Sequence, residues 1–371
     1  MKKIHIAFVR PQQWPAANQR VAEALQNQFP EASFEIIDVV TELKNQPFFM
    51  SRNAIDVLRM YGAGLLARRY KLRTSFSRTP YFYGYVQKWL KNKLEKGKYT
   101  FTFQMQSLFD ASQPGIPHFV YTDHTHLANL LYPYFDRRNL FSEKWINLER
   151  QIYKKAGVVF ARSSHVATSL LVQYHQSPDK LKCVYYGANM VSHGNLDNTR
   201  FQRKNILFVG IDWERKGGPD LLKAFEIVRE THPEATLTIV GCTPEVNIPN
   251  VNIVGKIPLE DVGRYYEKAS IFCLPTTNEP AGVVFIEAMS YHLPLIGTNI
   301  GAAPDFISQD CNGYMVNVGD PQALAESLIR LLNDPTRCQE MGEAGYHLTV
   351  SRYNWNTVAA SMKETILKYI Q

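Results

Sequence analysis

From residue 204 onward, short apolar runs alternate with amphipathic segments. Residues 205–209 are followed by a helical pattern over 220–229, then by an apolar run at 236–240. The rhythm continues with 251–254, a helix near 259–268, a run at 271–274, a helix near 282–291, a run at 295–297 and a last helix from about 322 to 332. Apolar runs without internal polar alternation, separated by helices, predict parallel strands buried on both faces. The first half shows the same rhythm less cleanly: strands at 4–9, 34–39, 119–122 and 158–161, with helices near 16–29 and 166–174. Between the halves, residues 192–199 are polar, rich in turn formers and aperiodic, which marks a linker. The pattern therefore predicts two doubly wound α/β domains, with no internal repeat.

A length of 371 residues agrees with two domains, each able to bury its own core. Apolar residues make up 45% and charged residues 20%, ordinary for globular proteins, and no run approaches the ~18 apolar residues of a membrane span. The opening Met1 to Arg10 has lysines before an apolar run too short for a signal peptide, so it reads as a first buried strand. Five widely spaced cysteines without a C-x-x-C pair indicate neither a disulfide framework nor a zinc site, so a cytoplasmic setting is expected. The net charge of +7 is concentrated: residues 44–98 carry seven lysines and six arginines against Asp56 and Glu95, a local balance of +11.

Candidate chemistry begins at Gly210-Ile211-Asp212-Trp213-Glu214-Arg215-Lys216-Gly217-Gly218, where a strand ends in glycine and a basic loop leads into a helix. Free N–H groups at a helix start, close backbone approach at glycine and a mobile lysine charge suit an anion. The alternative is an exposed turn with solvated charges. A second constellation, Glu279-Pro280-Ala281-Gly282-Val283 through Glu287, follows the strand at 271–274. Pro280 suits a first helical position, which would put Glu279 in the loop and Glu287 about two turns along. Glu287 lies among Phe285, Ile286, Ala288 and Met289, where a carboxylate needs a hydrogen-bond partner such as a sugar diol. The alternative is a solvated helix stripe carrying Glu287, with Glu279 a helix-start acid. The joint placement of both constellations at C-terminal strand ends of one parallel sheet favours a ligand site.

Over residues 205–335 the chain resembles glycosyltransferase family 4, whose donor domain carries G-x5-K-G, E-x7-E and a strand leading to a glycine-containing turn. Here these are Gly210 with Lys216-Gly217, Glu279 with Glu287, and Leu293 to Gly297 leading to Gly301. The resemblance implies a GT-B fold, two Rossmann-like domains facing across a cleft, and a retaining hexosyltransferase using a UDP-, GDP- or ADP-sugar without a cofactor or metal. It implies that Lys216 binds the donor pyrophosphate, Glu287 the ribose and Glu279 the transferred sugar. Backbone amides of Ala281, Gly282 and Val283 would lie near the distal phosphate, with Gly255 and Lys256 beside the base. Two departures stand out. Ile211 occupies a position often held by a phosphate-binding arginine, a charge Arg215 would replace, and the first loop, Arg10-Pro11-Gln12-Gln13-Trp14-Pro15, is not glycine-rich. The implied division is an acceptor-binding domain over 1–190, a donor-binding domain over 191–351, and a final helix within 352–371 packing back on the first.

His118 to His126 ends an apolar strand in Asp123, His124 and His126, polar groups at a strand's C-terminal edge. By the resemblance one of these points at the transferred sugar; the residues themselves do not choose among them. Capping by Asp123 and metal ligation by the H-x-H pair are the alternatives, the latter without a further ligand cluster. The basic stretch interleaves lysines with Tyr81, Phe82, Tyr83, Tyr85 and Trp89, which suits an anionic membrane face and a saccharide or lipid-linked acceptor. The competing reading is a solvated helical surface. Nothing resembles a nucleic-acid module. Other functions compatible with the pattern are a nucleotide-sugar epimerase, a non-catalytic membrane partner and, least economically, a glycosidase using Glu279 and Glu287, which has no use for a phosphate loop.

Overall fold

The computed structural model describes residues 4–13, 16–192 and 196–370. Residues 1–3, the Trp14-Pro15 pair of the first loop, His193 to Asn195 of the linker and Gln371 lie outside the described residues. The chain forms two compact units, Met1–Tyr185 with Val358–Gln371, and Tyr186–Thr357.

The first unit holds a six-stranded parallel sheet of β1 (His5–Arg10), β2 (Ser33–Asp38), β3 (Phe101–Met105), β4 (His118–Thr122), β5 (Val158–Ala161) and β6 (Leu181–Cys183), in the order β2-β1-β3-β4-β5-β6. Helix α1 (Ala16–Gln28) follows β1. Four helices, α2 (Val39–Leu43), α3 (Pro47–Leu66), α4 (Leu72–Phe76) and α5 (Pro80–Leu94), separate β2 from β3 and, with the segments that join them to one another and to β3, contain the basic stretch. Helices α6 (Glu143–Lys155) and α7 (Ser164–Val172) flank β5. Local chemistry sets several starts: Pro80 occupies the first turn of α5 and Thr79 accepts the Phe82 N–H at 3.0 Å, while Ser163 accepts that of Val166 at 3.2 Å.

The second unit repeats the design with β7 (Asn205–Val209), β8 (Thr236–Val240), β9 (Val251–Gly255), β10 (Ile271–Leu274), β11 (Leu295–Thr298) and β12 (Gly313–Val316), ordered β12-β11-β10-β7-β8-β9, all parallel. Its helices are α8 (Gly218–Thr231), α9 (Gly263–Lys268), α10 (Val283–Ser290), α11 (Ala303–Phe306), α12 (Pro321–Leu332) and α13 (Pro335–Ser351). The strand order reverses between β7 and β10, and ligands of open parallel sheets bind outside the carboxyl ends of strands at such a switch point. Both constellations identified above follow these two strands.

The division falls at 185/186. Ala188 donates to the Tyr353 carbonyl at 3.1 Å and the Tyr186 ring lies 4.7 Å from that of Trp355, so this segment belongs with the second unit. The last helix, α14 (Trp355–Ile370), has its C-terminal part in the first unit, where Tyr369 meets the Phe119 ring edge-on at 5.5 Å and covers Gly157. Among the described residues no helix is long and apolar enough to cross a membrane.

Candidate functional site

In the second unit, three glycines line adjacent strand ends. Gly210 donates to Val240 O at 2.9 Å and Gly241 to Gly255 O at 2.8 Å; a Cβ on Gly241 would stand 2.7 Å from Gly210 O. The loop after Gly210 closes on Gly217, which caps α8 at φ +75°, where a Cβ would lie 1.8 Å from Pro275 O. Only glycine fits there. The carbonyl of Arg215 accepts the Thr277 N–H at 2.9 Å and the hydroxyls of Thr276 and Thr277, which joins this loop to the one after β10.

That junction places Lys216 against Glu279. Their side chains form a buried ion pair, Nζ to Oε2, while Oε1 accepts the Gly282 N–H at 3.0 Å. Burial pushes the Glu279 carboxyl up, but Lys216 and the Gly282 amide more than reverse this and hold it below its ordinary value. Lys216 is therefore fixed by an acid rather than mobile in solvent. Arg215, expected to replace a missing phosphate ligand, is instead engaged with Asp212 at 3.2 Å and the Asn278 carbonyl at 2.9 Å, bracing the loop. Ile211 is exposed.

Pro280 does not open the helix. Gly282 caps α10 at φ +68°, with Phe306 where a Cβ would go, so the helix begins at Val283 and Glu287 sits just over one turn along it. The Gly282 amide serves Glu279, and the amides of Val283 and Val284 have no partner among the described residues. These first-turn donors and the positive helix end suit an anion.

Glu287 is buried, not part of a solvated stripe. Asn189 Nδ2 and Tyr266 Oη approach its oxygens at 3.4 Å each, too long to satisfy a carboxylate, and burial pushes it up to about 7. Asn189 and Tyr266 were missed by the sequence reading because neither adjoins a motif. Lys256 is exposed, and Gly255 at φ +76° turns the chain after β9.

In the first unit, Asp123, His124 and His126 come together at a cavity of about 190 Å³ that Arg78, Gln106 and Glu149 also line. The two histidines differ. His126 Nε2 accepts the Phe141 N–H at 2.7 Å, and burial with Arg78 nearby holds its ring down to about 3. Asn129, oriented by donation to His126 O at 2.9 Å, also donates to His124 Nε2 at 3.0 Å, which leaves the proton of His124 on Nδ1. That nitrogen is buried with no partner among the described residues, and burial lowers the ring to about 4, so it is neutral at pH 7. Asp123 is partly exposed, 3.8 Å from Arg162. Glu149, which the sequence reading did not single out, accepts from Ser107, Tyr174 and the His126 amide, yet burial keeps it raised. No group of three metal-ligating side chains occurs among the described residues.

These roles separate on mutation. His126→Ala leaves the Phe141 amide without its acceptor and is expected to lower stability by about 1–3 kcal/mol in urea unfolding. His124→Ala removes a ring whose one hydrogen bond among the described residues is from Asn129 and is expected to lower stability less.

The aromatics of the basic stretch face inward rather than toward a surface. Phe82 and Tyr83 are buried, Tyr85 stacks on Phe49 at 4.5 Å and Trp89 packs on the same cluster, because α5 must cover β1. In the first loop, Arg10 is held by Asp38 at 2.5 Å and by Gln19 at 2.9 Å, a buried arrangement in place of a glycine turn.

Residues 197–348, most of the second unit, match the family described as Glycosyl transferases group 1. A GDP-mannose-dependent alpha-(1-6)-phosphatidylinositol monomannoside mannosyltransferase of Mycolicibacterium smegmatis is 27% identical over 41% of this chain and 44% of its own length. The chain spans about half the length of the curated relatives it matches. Among solved structures, sucrose-phosphate synthase of Thermosynechococcus elongatus superposes with a TM-score of 0.72 at 17% identity, covering 99% of each chain. HepE of Anabaena, in complex with UDP-glucose, gives 0.65 at 15% identity, covering 98% of this chain and 100% of that one. These likenesses, with two parallel six-stranded sheets, identify the fold as GT-B.

Proposed function

We propose that this protein is a retaining hexosyltransferase that takes a sugar from a nucleotide-sugar bound by its second unit and moves it to a hydroxyl of an acceptor bound by its first. The observation that carries this reading is the Lys216–Glu279 pair at the start of α10, with the unsatisfied carboxyl of Glu287 on the same helix. A diphosphate arriving at the Val283 and Val284 amides draws on Lys216, and Glu279 is released to accept from sugar hydroxyls. A ribose diol supplies Glu287 with two donors closer than Asn189 and Tyr266, which stand at 3.4 Å. The leaving diphosphate is then stabilised by Lys216 and the helix end, electrostatic work that needs no metal ion.

On the acceptor side, Asp123 and the free Nδ1–H of His124 are the groups directed at the reacting sugar, and His126 positions the segment. UDP-sugars are the first donors to test, since HepE binds UDP-glucose; the mycobacterial relative makes GDP-mannose the second. The phosphatidylinositol monomannoside in that relative's name, together with the basic stretch around α3 to α5, favours a lipid-linked acceptor met at an anionic membrane surface.

The test is calorimetry of UDP-, GDP- and ADP-sugars with wild type, Lys216→Ala and Glu287→Ala. One donor should bind wild type and lose at least tenfold in each variant, and turnover should be unchanged by EDTA. Equal binding by all three proteins would refute the site, and loss of turnover in EDTA would refute the metal-free mechanism.

A further inference from the structure

The four helices between β2 and β3 enclose a second cavity in the first unit, of about 500 Å³, within the range of pockets that hold small ligands. Its inner wall is apolar: Val39, Leu43, Phe49 and Phe82 belong to the core cluster, and Met50 and Phe76 pack against them. The charges on its lining are of one sign, Lys44, Arg73 and Arg78. An apolar chamber with cationic residues in its wall fits a molecule that is apolar along its length and anionic at one end.

Its position is as informative as its lining. Arg78, Gln106 and Leu108 line both this chamber and the smaller one containing Asp123 and His124, so the two adjoin. At the junction, Arg78 stacks over Phe141 at 5.0 Å and its guanidinium donates to the Thr74 carbonyl at 2.7 Å, the one hydrogen bond of that side chain among the described residues. The remaining guanidinium donors suit a phosphate. Gln106 is held at φ +63°, a conformation costly for a residue with a side chain and one that recurs where ligands bind. The helices around the chamber also expose apolar side chains, Leu66 at 89% and Phe48 at 77%, among arginines and lysines. A surface of this kind binds at an anionic lipid interface and would bring membrane lipid to the chamber.

We propose that this chamber holds the hydrocarbon chain of a phosphate-bearing lipid acceptor, with its phosphate on Arg78 and its sugar or hydroxyl head in the adjoining Asp123–His124 cavity. The inference rests on the transferase reading, to which it adds the chemical class of the acceptor and the place where its tail is bound.

The experiment is titration calorimetry of the full chain with octyl and decyl phosphate below their micellar concentrations, with decanol and inorganic phosphate as controls, and with UDP titrated separately. Burying each additional methylene is expected to tighten binding roughly fourfold, so decyl phosphate should bind about fifteenfold more tightly than octyl phosphate, at one per chain. Inorganic phosphate should show no saturable binding in the same range. Met50→Trp, which fills the chamber, should weaken both decyl phosphate and decanol at least tenfold. Arg78→Gln should weaken decyl phosphate at least tenfold and leave decanol within twofold. Equal binding of the two chain lengths, or decyl phosphate binding untouched by Met50→Trp, would overturn the proposal. UDP binding separates the two levels: if it persists while alkyl phosphates fail, only the tail chamber is wrong. If UDP and its sugars fail as well, the transferase reading falls with it.

Discussion

Lys216→Ala is expected to unfold the second unit at a markedly lower temperature and to abolish donor binding, for two reasons that one further variant separates. Lys216 and Glu279 are both buried, and removing the lysine leaves a buried carboxylate without its counter-ion. Breaking such a pair costs about 3–5 kcal/mol, chiefly through the orphaned charge. For a unit of this size that lowers the melting temperature by roughly 6–20 °C. Glu279 keeps one compensating contact, the Gly282 amide, so the loss should sit toward the lower end of that span. The double variant Lys216→Met, Glu279→Leu removes both charges and should recover most of the stability, because apolar replacement of a whole buried pair is often neutral. It should still bind no nucleotide diphosphate. Stability regained without binding identifies the lysine as an anion ligand as well as a structural partner. Binding regained along with stability would reduce Lys216 to a loop brace and remove the main support of the proposed donor site.

The second unit was legible in the sequence because most of its strands are short, mainly apolar runs set between helical patterns. β7, β8, β10 and β11 fall where periodicity puts them, and the fold class followed. β3 was not found, although it is fully buried. Its alternation of Phe101, Thr102, Phe103, Gln104 and Met105 hides it, since Thr102 and Gln104 are buried polar groups satisfied internally. Thr102 bonds His118 at 2.7 Å, and Gln104 bonds the backbone of Gln106, Phe109 and Ala111. Helix α10 was started too early because Pro280 is a good first helical residue. The left-handed Gly282 decides otherwise, and a backbone dihedral cannot be read from a residue name.

The candidate site was legible as residue types and not as pairings. Lys216 and Glu279 were both singled out, but their contact spans 63 positions and depends on Thr276 and Thr277 seating one loop on another. Glu149 escaped notice because a glutamate in an amphipathic helix reads as solvated, whereas α6 turns it inward toward Ser107 and Tyr174. The Tyr81 to Trp89 aromatics erred in the opposite direction. Interleaved lysines suggested a surface, whereas the rings of α5 are buried or packed on the core, with Lys93 lying over one of them, Trp89.

Glu287→Gln should stabilise the empty protein above pH 7 relative to wild type and weaken nucleotide binding at the same pH. The Glu287 carboxyl is raised from 4.5 to about 7 by burial, so the folded state holds its proton more tightly than the unfolded chain does. The stabilisation this provides is fully present below about pH 4.5 and is lost as pH rises through 7. The full loss is roughly 3 kcal/mol. Glutamine has no proton to lose, so the stability difference between the two proteins should shift in favour of the variant by about that amount between pH 4.5 and pH 8, measured by urea unfolding. Ligand binding reverses the ranking. A ribose diol donating two hydrogen bonds favours the carboxylate over the acid, so wild type should release a fraction of a proton on binding nucleotide near pH 7. This is measurable as a binding enthalpy that depends on the buffer's ionisation heat. The amide presents one acceptor where the diol needs two, and losing a hydrogen bond to a charged group costs about 1.5–3 kcal/mol, roughly 10- to 150-fold in affinity. A buffer-independent enthalpy, with equal affinity in wild type and variant, would show that the diol does not reach Glu287. The residue would then be a buried acid whose strain serves no ligand.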